Sequence, residues 1–174
     1  MMQATSSPPV PVAPSACASR IKCRRGAGYP RHHAPGGHPS AELGASNTPH
    51  ATGVHRPLEA SAAAFQDTAG RWHYLITADL GWWQSLRTYS DIYRPLCTGL
   101  GAEPAAVLLH LVHTHAGPSL SEDAAEGEEL LIIETYKKEL IGRLLSACEA
   151  ARADAAPSTI TWAYGRCDLA VNRE

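Results

Sequence analysis

Apolar positions change their spacing several times along the chain, and each spacing predicts an element. Residues 58–65 are alanine-rich and weakly strand-like, and residues 67–70 (DTAG) read as a turn with glycine at its end. Residues 72–80 (WHYLITADL) are rich in aromatic and β-branched side chains and read as a strand. The short turn between the two places them as a hairpin. Over 84–100, Leu86, Tyr89, Tyr93 and Leu96 recur at three- and four-residue spacing, which predicts a helix. Pro95 should disturb it late, and Gly99 and Gly101 should end it. Residues 105–113 (AAVLLHLVH) form a mostly apolar run without glycine, as in a strand buried on both faces.

The strongest helical pattern covers 128–154. Ile133, Tyr136, Leu140, Leu144, Cys148 and Ala151 make one apolar stripe, which Leu130, Leu131, Ile141 and Leu145 widen. Glu126, Glu128 and Glu129 lie near its first turn, where the helix dipole favours acidic groups. Pro157 stops it, and residues 158–165 (STITWAYG) alternate as a further strand. The order β-β-α-β-α-β predicts an α/β fold, a mixed β-sheet with flanking helices. No internal repeat is visible.

Residues 1–50 follow no such pattern. They hold most of the 13 prolines, an Ala/Ser/Pro-rich start, a basic stretch with Lys22, Arg24 and Arg25, and His32, His33 and His38 among glycine and proline. Such a segment buries too little apolar surface to offset its ordering entropy, so it is expected to be disordered, ahead of a folded part spanning 51–174. Its three histidines are poor metal-site candidates, because metal sites want rigid ligands. It also lacks an apolar stretch that could serve as a signal-peptide core.

The bulk numbers narrow the function classes. A chain of 174 residues suits one domain. A net charge of -2 gives no bulk electrostatic basis for binding nucleic acid. No run of about 18 apolar residues exists, so no transmembrane helix is expected. The five cysteines (Cys17, Cys23, Cys97, Cys148 and Cys167) are odd in number and form no C-x-x-C pair, which disfavours a zinc ribbon and implies no disulfide framework.

The chemical signal lies in residues 109–118 (LHLVHTHAGP), where His110, His113 and His115 fall within six residues. On an extended strand His113 and His115 project to one face and His110 to the other. Two neutral imidazoles on one edge could supply half of a tetrahedral zinc site; equally, they could be half-buried histidines satisfied by the backbone. His110 reads better as a packed strand residue. Ala116, Gly117 and Pro118 then turn the chain at a strand end, where α/β folds place their sites.

Other candidates are sparse. Asp79 could orient a ligand histidine through its carboxylate, or cap a turn. His55 stands alone near the start of the folded part. Glu122, Asp123 and Glu126 could offer oxygen ligands, but a solvated loop and helix start is the simpler reading. Trp82 and Trp83 could line an apolar site or pack. Ser119 and Ser121 follow the turn without a G-x-S-x-G elbow, and neither a P-loop nor G-x-G-x-x-G is present.

Residues 113–118 (HTHAGP) resemble the H-T-H-S-G-P signature of neutral, non-lysosomal ceramidases and their bacterial relatives. Residues 52–62 (TGVHRPLEASA) are similar to the family's G-[IV]-H-x-x-[LW]-x-A-R-A segment, and 77–81 (TADLG) to its [ST]-x-D-L strand end. Val171, Asn172 and Arg173 resemble its V-N-R stretch. The resemblance runs from Thr52 to Arg173 in the family's order. It implies a zinc-dependent amide hydrolase that splits ceramide into sphingosine and a fatty acid. His113 would be a zinc ligand and the only one from this chain, with His115 beside the metal and Asp79, His55, Asn172 and Arg173 as near-site candidates.

The departures matter as much. Ala116 replaces the usual serine and Ser61 the usual arginine. The family's serine nucleophile and further zinc ligands follow V-N-R, beyond residue 174. The chain therefore reads as the N-terminal part of such a catalytic domain, a partial domain that is incomplete and inactive alone. It would need a missing C-terminal portion or a partner chain, and should expose apolar surface and a free edge on the 106–113 strand. The family is often secreted or membrane-associated. Two other readings stand beside it: a non-enzymatic interaction module, and a small metal-dependent hydrolase using His113, His115 and Asp123.

Overall fold

The computed structural model describes residues 22–24, 31–32, 56–123 and 125–159. The remaining parts of 1–50, His55, residues 160–165 of the strand expected over 158–165, Asn172 and Arg173 lie outside these described residues.

The element order is β1 (Lys22–Arg24), β2 (Arg31–His32), β3 (Leu58–Gln66), β4 (Trp72–Ala78), α1 (Leu86–Leu100), a short 3-10 turn (Pro104–Ala106), β5 (Val107–Leu111) and α2 (Gly127–Ala153). The sheet is mixed. β3 and β4 pair antiparallel, from Ala60 opposite Ala78 to Gln66 opposite Trp72. β5 joins β4 in parallel, with Tyr74 beside Val107 and Ala78 beside Leu111. The segment read as disordered contributes β1 against the end of β3 and β2 against its start, both antiparallel. This is the α/β arrangement read from the order of elements.

The hairpin owes its register to Asp67. Its Oδ1 accepts from the backbone N–H groups of Ala69 and Arg71, and its Oδ2 from Arg71 Nε, each at 2.9 Å. His73 Nε2 also lies 3.2 Å from Oδ2. Gly70 closes the turn at φ 83°, a conformation that costs glycine nothing. The Arg71 N–H, and then the His73 ring, hold the Asp67 carboxyl well below the ordinary carboxylate range.

Strand alternation then sorts the side chains. Ala60, Ala62, Ala64, Tyr74, Ile76, Ala78 and Val107 are buried on one face, where both helices lie. α2 brings Ile133, Tyr136, Leu140, Leu144, Cys148 and Ala151, all buried, as the stripe predicted. Leu131 does not widen that stripe; it is 62% exposed. α1 starts two residues later than read, behind an N-cap in which Ser85 Oγ accepts from Thr88 N at 3.0 Å. It runs through Pro95 and ends at Gly101 in the left-handed conformation, whose N–H bonds back to Cys97 and Thr98. Cys97 and Cys148 are free and buried, and burial pushes the Cys148 thiol up to about 12, so both serve as packing groups.

One expectation fails. The 105–113 run is not buried on both faces. Val107 is buried and Leu109 and Leu111 pack against the core, but Leu108 is 57% and Val112 42% exposed, next to an exposed Leu75. The reason is architectural: among the described residues, helices cover only one face of the sheet, and β5 pairs with β4 alone.

A candidate metal-binding turn

The histidine segment begins where β5 ends. Val112 N donates to Ala78 O and Thr114 N to Leu80 O, both at 3.2 Å, so the parallel pairing with the β4 chain continues past both strands. Between these two bonds His113 adopts φ 62°, the left-handed region in which few residues other than glycine sit. No other described residue except glycine does so. Holding a non-glycine residue there costs about 1 kcal/mol or more, and such strain gathers at functional sites.

The turn that follows is packed too closely for larger residues. A Cβ on Gly117 would lie 3.1 Å from Thr114 Cγ2 and 3.6 Å from Asp79 O, and one on Gly81 would lie 3.3 Å from Thr114 O. The 112–118 turn thus rides directly on the 79–81 segment. Ala116 N donates to Thr114 Oγ1 at 3.3 Å, a local turn bond.

His113 and His115 do come together, with ring centroids 5.2 Å apart and planes tilted by 60°. Alternation along a strand is not the cause, because β5 has already ended and the bend at His113 breaks the period. The Trp82 ring lies on His113, 5.8 Å away and 32° from parallel. Both histidines are exposed. His110 is exposed as well, paired in register with Thr77 on the uncovered sheet face, so it is not the packed residue expected.

Asp79 turns toward β3. Its Oδ2 accepts from Glu59 N and its own N–H donates to Glu59 O, both at 2.9 Å. That reciprocal pair closes the open end of the hairpin, which is the capping role rather than support of an imidazole.

Glu122 is not a solvated loop residue. It is 13% exposed at its side chain, and its Oε1 lies 2.5 Å from Lys137 Nζ while its Oε2 lies 3.0 Å from Arg87 Nη2. Asp91 stands 3.8 Å from both cations. Lys137 is buried on α2, and a buried ammonium needs a counter-charge, which explains why the loop turns in. Sequence reasoning missed this lysine, although the signal was there: 133, 137, 140 and 144 continue one helical face. Ser119 is buried and its Oγ accepts from Ser121 N, whose own Oγ accepts from Asp123 N. Glu126 is the N-cap of α2 and makes no side-chain capping bond. Trp83 packs on the core and meets Tyr89 edge-on. Among the described residues no three His, Cys, Asp or Glu side chains gather as a metal cluster.

No protein-family model matches this chain, and no curated protein matches it. Among solved structures it is similar to neutral ceramidase from Pseudomonas aeruginosa, at 21% identity and a TM-score of 0.58, over 79% of this chain and 22% of that one. The chain thus spans about a fifth of the structure it matches. At this identity the likeness is one of fold: these residues share the fold of a portion of a neutral ceramidase.

Proposed function

We propose that the chain is part of a ceramidase-like, zinc-dependent amide hydrolase, with His113 as a zinc ligand and His115 in the wall beside the metal. The observation that carries this reading is the strained His113, held left-handed next to His115 on a fold shared with a neutral ceramidase. The His115 ring, 5.2 Å from that of His113, would stand beside such an ion. A zinc ion bound there supplies Lewis-acid polarisation of a lipid amide carbonyl, such as that of ceramide. The overall reaction adds water across the amide C–N bond and releases a fatty acid and the amine of sphingosine.

The described residues offer at most these two nitrogen donors, and a catalytic zinc site needs three protein ligands. The remaining ligands and the nucleophile belong to a larger assembly, and the chain alone is expected to leave N-acylsphingosine intact. The decisive test is metal binding. His113→Gly keeps the left-handed backbone while removing the imidazole. Calorimetric titration with Zn2+ should show a site in the natural chain that weakens at least tenfold in this variant. Equal binding in both, or none in either, overturns the assignment.

The uncovered face of β4 and β5 favours a second reading, a non-enzymatic interaction module. It expects no tight metal at His113.

A further inference from the structure

Trp82 lies outside the histidine motif, yet its ring, like that of His115, stands against His113. We infer that Trp82 is a positioning residue that sets the direction of the His113 imidazole. The backbone on either side of His113 is fixed by the Val112 and Thr114 ladder bonds, so its Cα–Cβ vector is fixed too. Among the described residues the ring is not held by the usual device. Histidines that bind metal generally donate their second ring N–H to a carboxylate or carbonyl, which locks the ring. Among the described residues neither the His113 nor the His115 ring has a hydrogen-bond partner, and the nearest strand-end carboxylate, Asp79, is committed to β3. Ring contacts remain. His113 has the half-buried Trp82 at 5.8 Å and the exposed His115 at 5.2 Å.

Of those two neighbours Trp82 is the more buried, and its backbone is the one pinned to the core. It follows Gly81, which sits against the Thr114 carbonyl, and precedes Trp83. Trp83 packs on the core and against Tyr89, and Tyr89 stacks on Tyr93 at 4.7 Å. The Tyr93 hydroxyl in turn reaches the carbonyls of Pro104 and Val107, at the start of β5. The backbone at Trp82 is thus fixed on both sides, by Gly81 against the Thr114 carbonyl and by a Trp83 whose aromatic contacts run back to the strand leading into His113. An exposed imidazole tilted against a half-buried indole loses less side-chain freedom when it takes a ligand.

The geometric claim does not depend on the proposed activity; its consequence for metal does, and the test separates the two. In the metal-free chain, proton NMR should show the His113 ring protons displaced by the indole ring current. Trp82→Leu should return them to ordinary histidine positions, and Trp82→Phe should keep part of the displacement. The reciprocal variant, His113→Asn, tolerates the left-handed backbone and should shift the Trp82 indole N–H, which covers the case of a Trp82→Leu chain that does not fold. With Co2+ as probe, Trp82→Leu should weaken binding about tenfold and Trp82→Phe should restore most of it. His113 protons unmoved by Trp82→Leu in a folded chain overturn the inference, as does an unmoved indole N–H in His113→Asn. No Co2+ binding by the natural chain overturns the zinc reading instead, while the metal-free spectra still decide the role of Trp82.

Discussion

Asp67 shows how much a single side chain can decide. It accepts three hydrogen bonds across a turn of a few residues, and the Arg71 N–H is the largest influence lowering its proton affinity. Because the folded-state pKa lies below the unfolded value of about 3.9, its contribution is fully present above that value. It is lost as the pH falls through the folded pKa. Asp67→Asn keeps an acceptor oxygen for the backbone but has no charge to lose. Urea midpoints followed downward from pH 4 should therefore fall less steeply in the variant than in the natural chain, and parallel acid limbs would show that the carboxylate is not the titrating group. His113 makes a different point. Its partner histidine was legible from the H-x-H spacing alone, but the left-handed bend that brings the rings together was not. Side-chain alternation assumes a continuing strand, and nothing in the residue types of VHTH announces where the strand stops.

At the level of elements, what was readable followed the number of residues that share a pattern. The α2 stripe repeats over many turns, so its boundaries and buried face were read almost residue by residue. The hairpin carried its own turn chemistry in DTAG. Lys137 was hidden because a lysine is normally solvated, and only its place within the stripe betrays it. The run around β5 was misread because burial on the second face depends on a layer that the run itself does not encode. The Lys137–Glu122 pair joins α2 to the loop that follows the histidine turn, so it tests how these elements hold each other. Lys137→Met should cost about 1–3 kcal/mol, less than for a fully buried pair, because Glu122 keeps its contact with Arg87. Adding Glu122→Gln should recover part of that loss, since no uncompensated carboxylate is then left behind. Additive losses in a double-mutant cycle by chemical denaturation would refute the coupling.

At the scale of the molecule, the decisive feature among the described residues is a sheet with helices on one side. Leu75, Leu108 and Val112 lie exposed beside His110. A contiguous apolar surface of this kind drives association. Leu108→Lys should leave the unfolding free energy within about 0.5 kcal/mol of the natural chain while shifting it from aggregates toward monomer in size-exclusion chromatography. A natural chain that already elutes as a monodisperse monomer would contradict this.

The three alanines at 60, 62 and 64 carry a last implication, for how this sequence can drift. They line β3 where α2 lies against it, so the helix comes as near to the sheet as methyl groups allow. A larger residue at any of them would lift a 27-residue helix, and with it the lysine that grips the loop beyond the histidines. Substitutional freedom along β3 should therefore oscillate every second residue, with the smallest side chains the least replaceable and Ser61 and Ala63 the most permissive. Selection acting on the histidine turn would then leave its strictest record about fifty residues upstream, at positions that look like filler.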